Sequence, residues 1–167
     1  MGNQVIKRTV IYEGLFVYEW NDVCEGMVRQ ETPFECATLE NPINNPHITV
    51  VYRPAIDHND FYGADVYAVV RGYGNDGINE GYLVELIPGD GKKARNIEFC
   101  KLLCDIKTPH ITLSVSNDGK PVDTNKLTFE TLPMNEQFVL ECRFGAFVVT
   151  EYEDGTKETG YHMYRFL

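Results

Sequence analysis

One tetrad, Pro-His-Ile-Thr, occurs twice, as Pro46-His47-Ile48-Thr49 and Pro109-His110-Ile111-Thr112, and takes up two of the chain's four histidines. Each copy runs into an apolar continuation, Val50-Val51-Tyr52 after the first and Leu113-Ser114-Val115 after the second. In a β-strand successive side chains alternate between faces. His47 and Thr49 are therefore expected on one face of a strand, with Ile48 and Val50 buried behind them. His110, Thr112 and, more weakly, Ser114 are expected to share a face, backed by Ile111, Leu113 and Val115. Two such strands would bring two imidazoles and two hydroxyls to one small anion.

That set of groups suits cleavage of a phosphodiester. One neutral imidazole removes a proton from the attacking oxygen, and a second, protonated one delivers a proton to the leaving oxygen. Imidazole fits because its ordinary pKa of roughly 6.5 allows both forms near neutrality. Threonine hydroxyls donate hydrogen bonds to the non-bridging oxygens, where transition-state charge gathers. Every role falls to protein groups, so neither a metal nor another cofactor is expected. A single His-x-Thr is a weak signal, since threonine favours strands and a histidine often just satisfies a core position. The repeat carries the reading.

His47-Ile48-Thr49-Val50 and His110-Ile111-Thr112-Leu113 resemble the paired motifs of the two-histidine (2H) phosphoesterase superfamily. That superfamily includes RNA 2′,3′-cyclic phosphodiesterases, the phosphodiesterase domain of fungal tRNA ligases, and phage anti-defence enzymes that cleave cyclic oligonucleotide messengers. The resemblance implies a two-lobed sheet around a central cleft, each lobe giving one motif strand. It implies His47 and His110 as the acid–base pair and Thr49 and Thr112 as phosphate ligands. It is specific at the motifs and faint elsewhere, extending from Pro46 to Ser116. Members usually carry helices outside each lobe, and this chain has few helix candidates. Histidine-triad hydrolases are excluded, because neither copy has a second histidine two residues on.

Composition narrows the substrate. The chain has 167 residues, 43% apolar and 24% charged, which fits one soluble domain spanning 1–167. Its formal charge is −10 and its pI about 4.8. Lys and Arg supply the affinity of proteins that track long nucleic acids. The acidic balance thus favours a small nucleotide or cyclic (oligo)nucleotide, with 2′,3′-cyclic phosphate ends of RNA as the alternative. A third reading, from another class, is a module that holds a nucleotide without turnover; a pure binder has no need of two proton-transfer groups. No apolar run reaches the roughly 20 residues of a membrane span. The N-terminus lacks a secretory pattern, and Ile6 stands where a myristoylation motif wants Ser or Thr. A cytoplasmic protein is expected, with its five cysteines reduced and Cys100 and Cys104 serving as small buried hydrophobes.

Aromatic rings commonly hold nucleobases, and Tyr12, Trp20, Tyr52, Phe61 and Tyr62 lie near or before the first motif, with core packing as the competing role. Arg53 and Lys107 flank the motif strands within reach of a phosphate, against a default of solvated surface charge. His58 and His162 have no partner motif and are read as non-catalytic.

The elements that must position these residues are mostly strands. Thr9 to Trp20, broken at Glu13-Gly14, His47 to Tyr52, Asp65 to Gly72, Gly81 to Ile87, His110 to Ser116, Gln137 to Tyr152 and Gly160 to Phe166 read as strands. Turns fall at Gly74-Asn75-Asp76-Gly77, Asn117-Asp118-Gly119 and Asp154-Gly155, and Gly145 reads as a bend. The best helix is Arg95 to Cys104, with Ile97, Cys100 and Cys104 on one face. Short helical turns are expected around Asp57 to Tyr62 and Asp22 to Arg29. The sum is a strand-rich α+β domain.

Overall fold

The computed structural model describes residues 3–21, 26–29, 37–43 and 46–163, with only the backbone of 18–21 and 26–29. Among the described residues, ten strands form one antiparallel sheet. Its spine is β1 (Val5–Asn21) paired along its length with β9 (Phe138–Tyr152). The other edge of β1 carries β4 (His47–Tyr52) and, further on, β2 (Gly26–Arg29). The other edge of β9 is shared between β5 (Asp65–Asn75) and β10 (Lys157–His162). β6 (Asn79–Pro88) follows β5 in a hairpin, β7 (His110–Val115) pairs with β6, and β3 (Asn41–Pro42) pairs with β7. β8 (Glu130–Thr131) is a short addition to β5.

The two motif strands stand far apart in hydrogen-bonding order, yet they lie in contact. The chain between them explains how. Residues 41–43 run along β7, ending with Ile43 N donating to the Leu113 carbonyl at 2.8 Å, and the same segment continues into β4. The sheet therefore curls until its β7 side meets its β4 side.

Alternation in the strands makes the core. Ile48, Val66, Ala68, Val70, Ile111, Leu113, Cys142, Phe144, Ala146 and Val148 all turn inward and are buried. β1 runs unbroken through Glu13-Gly14, where a break is expected from the sequence; its pairing with β4 slips there, with Val50 as the extra residue on β4. There Gly14 admits the Ile48 carbonyl, which a Cβ would meet at 2.8 Å. Gly77, at φ 83°, completes the β5–β6 turn, where Asp76 accepts hydrogen bonds from Ile78 N and Asn79 N.

Three expectations need correction. Helix α1 (Ile97–Cys104) exists, capped by the Asn96 side chain accepting from Glu98 N, but its buried face is Phe99 and Leu103. Ile97 is 85% exposed and Cys104 is also on the surface. Phe99 decides the orientation by packing edge-on against Phe144, ring centroids 5.2 Å apart, a larger apolar contact than Ile97 could make there. The helical turn expected at Asp22 to Arg29 is replaced, over 26–29, by strand β2; residues 22–25 lie outside the described set. Cys100 and Cys104 are not buried as expected, the first being half-buried and the second exposed; Cys142 is buried, while Cys24 and Cys36 lie outside the described residues. Burial, with the nearby Glu141 charge adding to it, pushes the Cys142 thiol up to about 12, so it behaves as a small hydrophobe. Among the described residues no helix is long and apolar enough to cross a membrane.

Candidate functional site

A cleft of about 690 Å3 opens between β4 and β7, and His47, Thr49, His110 and Thr112 all line it. Strand geometry does this simply. Ile48 and Ile111 are fully buried, so the residues on either side of each point the other way, into the cleft. Loops complete the walls: Ile43 after β3, Ile106 to Thr108 before β7, and Pro121, Val122 and Asn125 from a 3-10 helix at Pro121–Lys126.

The two imidazoles are held in different ways. His110 Nδ1 lies 2.8 Å from the Thr108 carbonyl, which can only accept, so Nδ1 carries a proton. The neutral ring then keeps its lone pair on Nε2, the form a general base needs. His47 is held by rings. Tyr12 stacks on it with centroids 4.6 Å apart and planes 19° from parallel, and Phe16 lies 5.9 Å away. Phe147 stacks on Tyr12 at 5.6 Å. Because β4 and β9 flank β1 on opposite edges, His47 and Phe147 approach Tyr12 from opposite sides.

The hydroxyls differ too. Thr49 is exposed on the cleft wall. Thr112 Oγ1 lies 2.9 Å from Thr124 Oγ1 and 3.3 Å from the Pro121 carbonyl. Thr124 is fully buried and accepts from Asn79 Nδ2 at 3.1 Å, while the same amide donates to the Lys120 carbonyl at 2.7 Å. These contacts fasten the 3-10 wall to β6 and β7. Gly81, opposite Thr112 in the β6–β7 ladder, leaves the seat for the Thr124 methyl, which a Cβ there would meet at 2.5 Å.

Other expected site residues fall elsewhere. Ser114, expected on the face of Thr112, is on the opposite one: the β6–β7 ladder slips by one residue between them, setting Thr112 opposite Gly81 and Ser114 opposite Glu80. Ser114 is fully buried, donating to Glu80 Oε1 at 2.7 Å and accepting from Leu39 N at 3.2 Å. That slip turns it away from the cleft, and the segment 37–39 closes over it on that other face. Phe61 packs against Phe99 and the core, centroids 5.7 Å apart, and does not line the cleft. Tyr62 is fully buried, donating to Glu13 Oε2 at 2.8 Å; burial, then the Glu13 hydrogen bond and charge, raise its pKa well above the ordinary phenol range. Tyr12 lines the cleft, but its ring serves His47 and Phe147. Tyr52 is 65% exposed at the cleft, with the Arg53 guanidinium 5.5 Å from its ring centre. The Trp20 side chain lies outside the described residues. Lys107 lines the cleft and Arg53 does not. His58 Nδ1 pairs with the buried Glu13 at 2.6 Å, away from the cleft.

Sequence reasoning missed the loop walls and the Asn79–Thr124 support. The Asn117-Asp118-Gly119 turn was the available signal, since a tight reversal after β7 must return the following segment over that strand. Among the described lining residues the only permanently charged side chain is Lys107, and none carries a carboxylate. Among the described residues, no three His, Cys, Asp or Glu side chains gather as a metal site. No family model matches the chain, and neither a curated protein nor a solved structure matches it significantly.

Proposed function

We propose that this protein is a metal-independent phosphodiesterase of the two-histidine type, acting on a small nucleotide or cyclic (oligo)nucleotide, and that its curled sheet is a form of the two-lobed 2H architecture. The observation that carries the reading is the meeting of both His-x-Thr pairs in one cleft. In an otherwise acidic chain, a cleft whose described wall has one lysine and no carboxylate suits an anionic ligand. The remaining lining, Ile43, Ile106, Pro121, Val122 and Tyr52, is apolar or aromatic and suits a base or sugar face. A volume of about 690 Å3 fits a compact substrate.

With a phosphodiester between the strands, one imidazole takes the proton of the attacking oxygen at a bare ring nitrogen. The other returns a proton to the leaving oxygen. Thr49 and Thr112 donate to the non-bridging oxygens. The test is incubation with cyclic mono-, di- and trinucleotides and 2′,3′-cyclic nucleotides, with and without excess EDTA, resolved by chromatography. EDTA-resistant hydrolysis of at least one cyclic nucleotide is expected. Confinement of activity to RNA 2′,3′-cyclic ends would move the reading to RNA end processing. Binding without turnover would make the protein a nucleotide-holding module, and loss of activity on chelation would replace the mechanism with a metal-assisted one.

A further inference from the structure

We propose that Thr124 and Asn79 are positioning residues that turn the Thr112 hydroxyl into a donor for an anionic oxygen in the cleft. The inference deepens the phosphodiesterase reading and rests on it for its kinetic test. The Asn79 side-chain amide has two N–H groups, and both are used, one on the Lys120 carbonyl at 2.7 Å and one on Thr124 Oγ1 at 3.1 Å. Thr124 is fully buried, so its own hydroxyl proton needs a protein acceptor. Among the described residues its other hydrogen-bonding neighbour is Thr112 Oγ1 at 2.9 Å. If Thr112 donated to Thr124, the Thr124 proton would be stranded in the interior. If Thr124 donates to Thr112, every buried donor is satisfied, and the Thr112 proton is left with the Pro121 carbonyl at 3.3 Å. A contact that long is weak. A phosphate oxygen in the cleft takes that proton readily. The chain from Asn79 through Thr124 to Thr112 then runs in one direction, each bond polarising the next toward the ligand. The other threonine differs: Thr49 is exposed, and among the described residues it borders no such buried pair.

The variants are Thr124→Val, which keeps shape and removes the hydroxyl, and Thr124→Ser, which keeps the hydroxyl. Each is assayed on the best cyclic nucleotide of the panel, alongside Thr112→Ala and the Thr112→Ala/Thr124→Val double mutant, with melting temperatures to confirm folding. Thr124→Val should lower kcat on the order of 10-fold, with little change in KM, because a donor that acts in the transition state is misaimed. Thr124→Ser should restore turnover. The double mutant should be no slower than Thr112→Ala, since Thr124 acts through Thr112. A folded Thr124→Val enzyme with wild-type kcat, an unrescued Thr124→Ser, or multiplicative effects in the double mutant would each overturn the inference. An inert wild type would instead sink the phosphodiesterase reading, and inorganic phosphate then serves as probe, followed by the NMR shift of the Thr112 amide. Weaker phosphate binding in Thr124→Val than in wild type and Thr124→Ser supports the inference; equal binding, or no response in wild type, overturns it.

Discussion

At the scale of single residues, the site pairs equal side chains in unequal settings. His110 is fixed by a backbone carbonyl and His47 by the stacked Tyr12 ring. If both imidazoles move protons in one cycle, His47→Ala and His110→Ala should each lower kcat on the order of 10²-fold or more. The double mutant should be little worse than either single, because groups acting as a unit are not additive. A single mutant that keeps near wild-type turnover would end the two-histidine mechanism. The two cleft tyrosines should separate by kinetic parameter. Tyr52 is exposed and offers a ring to the ligand, so Tyr52→Ala should raise KM by on the order of 10-fold with kcat nearly kept. Tyr12 is committed to His47 and Phe147, so Tyr12→Leu should lower kcat instead. The opposite split would make Tyr12 the base platform.

At the scale of elements, what was legible in the sequence followed from period. The alternation Ile48, Val50 and Ile111, Leu113, Val115 placed both motif strands and the faces of their histidines, because a strand with one buried face has its register dictated. Ser114 departed from that alternation, because the β6–β7 ladder slips by one residue at Leu113 and turns it under a cover from residues 37–39. Neither a slip nor a cover from a distant segment is written in a strand's own pattern. That cover hangs on Glu80. This buried carboxylate accepts from Thr38 N at 2.8 Å, Thr38 Oγ1 at 3.1 Å, Ser114 Oγ at 2.7 Å and the Tyr73 hydroxyl. It thereby pins residues 37–39 over β6 and β7, just before the segment that leads into β4. Burial alone would raise its pKa, but the bonds from Tyr73, Thr38 and Ser114 outweigh it and hold the carboxyl below the ordinary range. A depressed folded pKa means stability that is complete above the unfolded value, roughly 4.3, and lost as pH falls through the folded one. Glu80→Gln, which sets an amide donor among these donors, should cost about 1–3 kcal/mol at neutral pH. It should also flatten the fall in stability below pH 4 or so, as followed by urea denaturation across pH. A variant with the wild-type acid limb would show that Glu80 is not the group responsible.

At the scale of the molecule, the field and the cleft point in opposite directions, and that contrast decides which phosphates can be held. The chain carries a formal −10, so its far field repels polyanions, while the described residues of the cleft wall include Lys107 and no carboxylate. A ligand confined to the cleft meets the local charge; a long nucleic acid must also lie across the acidic exterior. Salt separates the two cases. Binding through phosphate contacts weakens with a log–log slope of about −0.9 per cation engaged on duplex DNA and about −0.7 on single strands. One lysine therefore allows at most about a three- to fourfold fall in affinity from 50 to 200 mM salt, whereas six to ten cations would give roughly 10³- to 10⁵-fold. Screening of the repulsive net charge works the other way and reduces even the small loss. The expected outcome is a kcat/KM on the best cyclic nucleotide that changes by less than about fourfold over that range, with single-stranded RNA oligomers gaining no affinity as they lengthen. A fall of 10²-fold or more, or affinity that climbs with RNA length, would require a basic track outside the cleft and would transfer the substrate from a compact nucleotide to RNA.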